Sequence, residues 1–429
     1  MRQLHFPREL RGGVMDRIYG LIGRTLKHSY SAGIHSELGL PEYRLIELEP
    51  EEISEFLSRV DIGGLNVTIP YKREVMQYCI GISEEALAIG SVNTLVRRDD
   101  GLYGYNTDAY GFKAMARRAG ISFEDKKTVV LGSGGASLTA LAAARMYGAR
   151  EVTVISRSGE NNYCNLQKHA DADIIVNATP VGMFPHTEES PVCLADFPKC
   201  SGVLDMIYNP HRTRLLMDAE KRGIPHADGL YMLVAQAKTA EELFFDKRIP
   251  DSEIDRIFAK MRADSENIVL IGMPGSGKNT VGEELSKITG RELIDIDSLI
   301  VKRAGISIES IFAENGEDEF RRLEREETAA AGRLSGRIIV TGGGVVKDER
   351  NYPSLHCNGR IYEIERDTSL LARKGRPLSK NADLTAMYAE RRPMYEAFRD
   401  AAADNSGSPR ETAEKIWRDF LENTCDKRA

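Results

Sequence analysis

The chain has 429 residues, 41% hydrophobic and 29% charged, enough for two or three compact units with a core each. Lys and Arg number 58 against 65 Asp and Glu, and the net charge of −7 argues against a dedicated nucleic-acid binder. No apolar run approaches the roughly 18 residues of a membrane span, and no basic segment leads into an apolar export core. The 6 cysteines are scattered without a CxxC pair, so a cytoplasmic protein with reduced thiols, no structural zinc and no membrane partner is expected.

Residues 1–15 lack a clear period and read as an extension. Polar clusters follow that a core would not choose: His28-Ser29-Tyr30-Ser31, Asn66 to Lys72 (NVTIPYK), Ser91-Val92-Asn93-Thr94 and Asn106-Thr107-Asp108. Each alone passes as turn chemistry or a helix cap. Together they supply hydroxyls, amides, one lysine and one carboxylate, a set suited to a polyhydroxylated acid. Apolar β-type runs then alternate with helical patterns: 128–132, 152–156, 173–179, 203–207, 267–272, 293–297, 337–344 and 359–365. That alternation predicts an α/β protein with parallel sheets covered on both faces.

Two glycine-rich strand-to-helix turns punctuate it. The first, Gly132-Ser133-Gly134-Gly135-Ala136, would let backbone N–H groups meet a diphosphate at a helix N-terminus. GxGG alone fits a plain tight turn equally well. The next strand ends in Ser156-Arg157-Ser158, where an acidic residue would read the ribose of NAD and an arginine suits the 2′-phosphate of NADP. The second turn, Gly272 to Lys278 (GMPGSGK), fits G-x-x-x-x-G-K between an apolar strand and an amphipathic helix, so backbone amides and Lys278 would hold the phosphates of ATP. Its next residue is Asn279, where a Ser or Thr hydroxyl normally meets Mg²⁺. Thr280 has the hydroxyl but lies about 100° further round the helix. One domain seldom carries two phosphate cradles, so a boundary is placed in the polar, helix-prone stretch 251–267.

With these residues in view, the first part resembles the shikimate dehydrogenases. GLIGRTLKHSYSAGIHSELG, GGLNVTIPYKREV, AIGSVNTLV, GYNTDAYGF, LGSGGAS, NATPVGM and DGLYMLVAQA stand in that family's order across about residues 17–250. The resemblance implies reduction of 3-dehydroshikimate to shikimate with NADPH. It implies that Ser29 and Ser31 bind the substrate carboxylate, that Asn66, Thr68, Asn93, Asp108, Tyr208 and Gln236 line the substrate, and that Lys72 and Asp108 are the catalytic pair. Gly132 to Ala136, Ser156, Arg157, Ser158 and Gly229 would hold NADP. Thr25 and Ala32 stand where the family usually has proline, and Glu160-Asn161-Asn162 where it often has a second basic residue.

The remainder resembles shikimate kinase: GxxGxGK, DID, FRRLE, TGGGVV, RPLS and RRPMY occur in that order. The resemblance implies that Gly275, Ser276, Gly277, Lys278, Asn279, Thr280 and Arg376 bind ATP, with Arg373 near the nucleotide. Asp297 would accept the proton of the attacking hydroxyl. Arg321, Arg391 and the backbone at Gly343 and Gly344 would clamp the carboxylate. Asp295 would order the water shell of Mg²⁺, with Asn279 as a doubtful direct ligand. The charged stretch 317–327 reads otherwise as a solvated helix face.

The expectation is therefore a bifunctional enzyme of aromatic amino-acid biosynthesis. Residues 16–262 would be a two-layer dehydrogenase, with a substrate part at 16–112 and 228–262 and a Rossmann NADP part at 113–227. Residues 263–429 would be a P-loop, NMP-kinase-like domain. Each half carries its own sheet pattern, so the halves are expected to fold and act separately, as a monomer or homodimer. Two other readings remain open: a kinase-like domain weakened at Asn279 into a shikimate-binding regulator, and a dehydrogenase preferring quinate and NAD.

Overall fold

The computed structural model describes residues 17–26, 29–367, 369, 371 and 384–424. The first stretch runs β1 (Ile18–Gly23), α1 (Ser31–Glu37), β2 (Arg44–Glu47), α2 (Ile53–Ser58), β3 (Ile62–Val67), β4 (Cys79–Ile82), α3 (Glu84–Ile89), β5 (Thr94–Arg98), β6 (Gly101–Tyr105) and α4 (Asp108–Arg118). Next come β7 (Lys127–Leu131), α5 (Gly135–Met146), β8 (Glu151–Ile155), β9 (Ile174–Asn177), β10 (Gly202–Asp205), α6 (Arg214–Lys221) and β11 (His226–Ala227). Two helices, α7 (Leu230–Phe245) and α8 (Ser252–Ser265), lead to the remaining elements.

Contacts group the chain into two compact units. One holds the described residues up to Arg117 together with Ser122–Tyr163 and Tyr231–Ile257. The other holds Arg118–Ile121, Cys164–Leu230 and the described residues from Phe258 onward. In the first unit six strands form one sheet in the order β2-β1-β3-β5-β6-β4. It is mixed rather than parallel throughout: β5 runs antiparallel to both β3 and β6. For β5 and β6 the reason is the short turn Arg98-Asp99-Asp100-Gly101, which allows a hairpin but no crossover helix. Alternate β1 side chains enter different cores, Ile22 with Ile53 and Leu57 of α2, and Leu21 with Ala240 and Phe244 of α7. β7 and β8 pair in parallel in the same unit.

In the second unit β9, β10 and β11 pair in parallel. The chain then runs β12 (Asn267–Ile271), α9 (Lys278–Thr289), β13 (Leu293–Asp295), α10 (Ile296–Ala304), α11 (Ile308–Gly332), β14 (Ile338–Val340), α12 (Asn351–His356), β15 (Gly359–Glu365), α13 (Leu384–Phe398), β16 (Ala401–Asp404) and α14 (Pro409–Thr424). Its five-stranded sheet has the order β13-β14-β12-β15-β16 and is parallel throughout. Ile268 and Leu270 of β12 face α9 and α14, and Val269 and Ile271 face α10, α11 and α13. This two-sided burial makes the strand a continuous apolar run instead of an alternating one. The glycine turn after β12 therefore opens at the carboxyl end of the central strand, where α/β sheets bind ligands.

The expected junction, 251–267, forms α8 over Ser252–Ser265, in keeping with its helix-prone sequence. Ile254 and Ile257 are buried on α8, and Ser265, Glu266 and Asn267 are buried at its end.

Candidate active sites

The first site lies at the ends of β3, β5 and β6. Lys72, in the turn after β3, donates from Nζ to Asp108 Oδ2 at 2.6 Å. Asp108 is the first residue of α4, where the helix dipole favours a carboxylate. Its other oxygen accepts from Asn93 Nδ2 at 2.8 Å, and the same amide donates to Gln236 Oε1 and Thr107 Oγ1, both at 3.1 Å. Thr107 N returns a bond to Asn93 Oδ1 at 2.8 Å, so the orientation of the amide is set. Asn66 Oδ1 accepts from Tyr43 OH at 2.7 Å, and its Nδ2 donates to Thr94 Oγ1 at 3.1 Å. Five of the expected residues thus form one connected network, Lys72, Asn93, Asp108 and Gln236 directly and Asn66 through Thr94, whose Oγ1 donates to Asn93 Oδ1 at 3.0 Å. Asp108 and Asn93 are buried, whereas Lys72 keeps a quarter of its side chain in solvent.

Ser29 and Ser31 meet each other at the start of α1, Ser31 N donating to Ser29 Oγ at 3.2 Å. Thr68 is held through its backbone, with N to Ile22 O at 2.9 Å. His28 lies outside the described residues. Tyr208 and Gly229 belong to the second unit, where Gly229 N donates to Ile207 O at 2.9 Å and an added Cβ would sit 2.3 Å from Met206 O.

The dinucleotide turn has the geometry its glycines require. Gly132 has a φ of 107°, which favours glycine, and its N–H closes on Ile155 O at 2.8 Å. Added Cβ atoms at Gly134 and Gly135 would meet nothing within 4 Å. An open cradle therefore faces the N-terminus of α5 and fits a diphosphate. Ser156, Arg157 and Ser158 follow β8 directly. Arg157 is exposed, and no carboxylate pairs with it among the described residues.

The second site is assembled around two glycine turns. Gly275 and Gly277 have φ of 91° and 95°, and Lys278 folds back to donate from Nζ to Gly272 O at 2.9 Å and Met273 O at 3.0 Å. Asn405 at the end of β16 braces the loop by donating to Ser276 O at 2.7 Å, and Ser276 Oγ is buried without a partner among the described residues. Asn279 is exposed and its amide nitrogen contacts Asp295 Oδ2, while Asp295 Oδ1 accepts from Ser298 N at 2.9 Å. Asp295 keeps lone pairs for water, and the Asn279 carbonyl is a hard oxygen, so this corner fits Mg²⁺ held largely through its water shell. Thr280 is exposed beside it.

Asp297 lies in the first turn of α10 rather than at the strand end. The second turn, Gly342-Gly343-Gly344, packs against the side chains it serves. Added Cβ atoms would come within 2.7 Å of Asp297 Oδ1 at Gly342, and within 2.6 Å of Arg321 Nη1 at Gly344. Arg321 Nη1 donates to Glu324 Oε2 at 2.6 Å and Arg391 Nη1 to Gly343 O at 2.9 Å, and Tyr395 OH reaches the same carbonyl at 2.6 Å. Arg391 Nε is buried with no acceptor among the described residues. Asp297, Arg321, Gly343, Gly344 and Arg391 are therefore brought together. Arg373 and Arg376 lie outside the described residues.

Sequence reasoning missed Tyr43, Thr94, Thr107, Glu324 and Tyr395. Thr94 and Thr107 stood inside motifs already singled out, but Tyr43 carries no local signal. Glu324 reads in the sequence as part of a solvated face, yet it is fully buried. Burial raises its pKa and Asp297 adds to this, while Arg321 opposes both. The physical reason is that α11 is kinked at Gly316 (φ 85°), with Phe320, Leu323 and Glu324 turned into the protein beyond it.

Fold and sites together define two nucleotide-binding α/β enzymes on one chain: a dehydrogenase with a dinucleotide turn and a P-loop kinase. Comparison with known proteins agrees. Residues 21–95 match the family model for the shikimate dehydrogenase substrate binding domain, and residues 274–421 match that for shikimate kinase. The chain belongs to the shikimate dehydrogenase family and carries a shikimate kinase domain, which makes it a bifunctional shikimate-pathway enzyme. A shikimate dehydrogenase (NADP(+)) of Clostridium beijerinckii is 36% identical over 245 residues, 53% of this chain and 91% of the relative. The crystal structure of a chorismate mutase/shikimate 5-dehydrogenase fusion protein from Clostridium acetobutylicum superposes with a TM-score of 0.56 at 38% identity, covering 58% of this chain and 97% of that one. A shikimate 5-dehydrogenase from Thermus thermophilus in complex with NADP(H) and shikimate gives 0.51 at 30% identity, covering 56% and 97%.

Proposed function

We propose that residues 16–262 reduce 3-dehydroshikimate to shikimate with NADPH and that residues 263–429 phosphorylate the 3-hydroxyl of shikimate with ATP and Mg²⁺, in the cytoplasm. The observation that carries the first step is the Lys72–Asp108 pair at 2.6 Å, tied through Asn93 to Gln236. NADPH supplies the hydride. As the carbonyl oxygen gains negative charge, the Lys72 ammonium stabilises it and gives up a proton from Nζ. Asp108 holds the ammonium in place and accepts from a substrate hydroxyl. Asn66, Asn93 and Gln236 orient the remaining hydroxyls, and Ser29 and Ser31 meet the carboxylate. Arg157, exposed and without an acidic partner among the described residues, receives the 2′-phosphate that separates NADP from NAD.

ATP supplies the phosphoryl group and Mg²⁺ offsets its charge. Lys278 exchanges its two loop carbonyls for phosphate oxygens. Arg321 and Arg391 take the shikimate carboxylate, which guanidinium forks match in geometry. Asp297 accepts the hydroxyl proton, and positioning and charge neutralisation supply most of the acceleration. A coupled assay tests the whole reading: 3-dehydroshikimate with NADPH and ATP should give shikimate 3-phosphate, and NADH should serve poorly. Oxidation of quinate with NAD⁺ at a higher kcat/KM than shikimate with NADP⁺ would overturn the assigned specificity.

Asn279 sets the metal dependence of the kinase. Its amide nitrogen occupies Asp295, where a serine hydroxyl would leave that carboxylate free and reach the metal itself. Asn279→Ser should raise kinase kcat by about three- to tenfold and lower the Mg²⁺ concentration for half-maximal rate. The dehydrogenase rate should not change. If neither kinase quantity moves, Asn279 is already an adequate ligand.

A further inference from the structure

A second group of cations in the second unit serves neither reaction. Arg214, the first residue of α6, and Arg333, at the C-terminal end of α11, line one cavity of about 240 Å³ with Thr187, Glu188, Pro353 and Ser354. Arg214 is half-buried, yet its guanidinium makes no hydrogen bond or ion pair among the described residues. Burial pulls its pKa below the ordinary value, and the nearby charge of Glu188 only partly opposes this. Among the described residues Arg333 is satisfied only by backbone, with Nε to Ala329 O at 3.1 Å and Nη1 to Pro185 O at 3.2 Å. Burial pushes the Cys357 thiol pKa up to about 11, and Arg212, Arg214 and Arg333 only partly oppose it.

An arginine taken out of water without an acceptor is costly. Arg214 is in that position, and with Arg333, whose fork is used only in part by two backbone carbonyls, and Thr187 and Ser354, whose hydroxyls can donate, the cavity is rich in donors. The single carboxylate, Glu188, keeps more than half its side chain in solvent, and its ion partner is His186 at 3.8 Å. We propose that this cavity is a phosphate-binding site, separate from both active sites, in which Arg214 and Arg333 clamp a phosphate dianion and Thr187 and Ser354 donate to its remaining oxygens. The phosphate group is the recognised chemistry, carried either by inorganic phosphate or by a small phosphate monoester.

The test uses the full chain with NADPH, shikimate and a non-hydrolysable ATP analogue at saturation, a combination on which neither enzyme turns over, so that the phosphate subsites of both are filled. Inorganic phosphate, and in a second arm shikimate 3-phosphate, is then titrated by calorimetry. One further saturable site is expected, weakened at least tenfold by Arg214→Gln and by Arg333→Gln and about threefold by Thr187→Val. Tighter binding in the second arm identifies a monoester as the ligand, and equal or weaker binding identifies free phosphate. Should an arginine variant fail to fold, Thr187→Val and the melting temperature of the native chain carry the test, since phosphate should raise that temperature with the other sites filled. No added site, or affinity unchanged in every folded variant, overturns the proposal.

Discussion

Lys72→Met should lower the dehydrogenase kcat by about 10²- to 10⁴-fold, the range lost when a positioned proton donor is removed. The change leaves Asp108 buried beside Asn93 without its cation, and the developing oxyanion without a donor. The kinase rate of the same protein should be unaltered, because every residue placed in its site lies beyond Gly272. Lys72→Arg should restore little, since a planar fork cannot occupy the position of a point ammonium 2.6 Å from a carboxylate and also reach the carbonyl. A kcat within threefold of the unmodified enzyme would remove Lys72 from the mechanism.

The second large effect is on stability. Arg212 enters the second unit between elements far apart in sequence, donating from Nη1 to Glu266 Oε1 at 2.9 Å and His356 O at 3.1 Å. His211 meets Ser265 Oγ at 2.8 Å, and Arg262 pairs with Asp228. Glu266 is 3% exposed and Arg212 19%. Arg212→Ala leaves the buried Glu266 with Arg262 alone, at 3.7 Å, and should cost about 3 kcal/mol. For a unit of this size that is a fall of roughly 10 °C in its melting temperature. Burial would raise the Glu266 pKa, but the Arg212 and Arg262 charges outweigh it and hold it at about 2, against an ordinary 4.5. A depressed carboxylate stabilises the fold above its unfolded pKa, and that share is lost as pH falls from 4.5 through about 2. Calorimetry checks both statements, and a melt unchanged by Arg212→Ala would show that the pair contributes nothing.

The same contacts change what cutting the chain should do. Cleavage between residues 262 and 263 takes Ser265 and Glu266 away from His211 and Arg212. The dehydrogenase fragment should therefore melt below the corresponding transition of the intact chain, although each half has its own sheet pattern. Equal melting temperatures would show that the halves are independent, as their separate patterns suggest.

Features held within a few consecutive residues were legible in the sequence alone. Gly272 to Lys278, Gly132 to Ala136 and the β12 run announce themselves because a phosphate cradle and a doubly buried strand are local constructions: neighbouring amides must converge, or neighbouring side chains must be apolar. The remote pairing of Lys72 with Asp108 was reached only through the order of family motifs, since nothing in the spacing of 36 residues brings them together. Tertiary structure alone decided the rest. Tyr43 is an ordinary tyrosine until β2 places it on Asn66, and Glu324 is one acid in a charged helix until the kink at Gly316 turns it inward. Arg212 reads as a surface residue until Glu266 is buried against it. A charged or polar side chain has two stable fates, solvation or a buried partner. Which one it meets depends on what another part of the chain delivers to its side, and that is set by packing rather than by its neighbours in sequence.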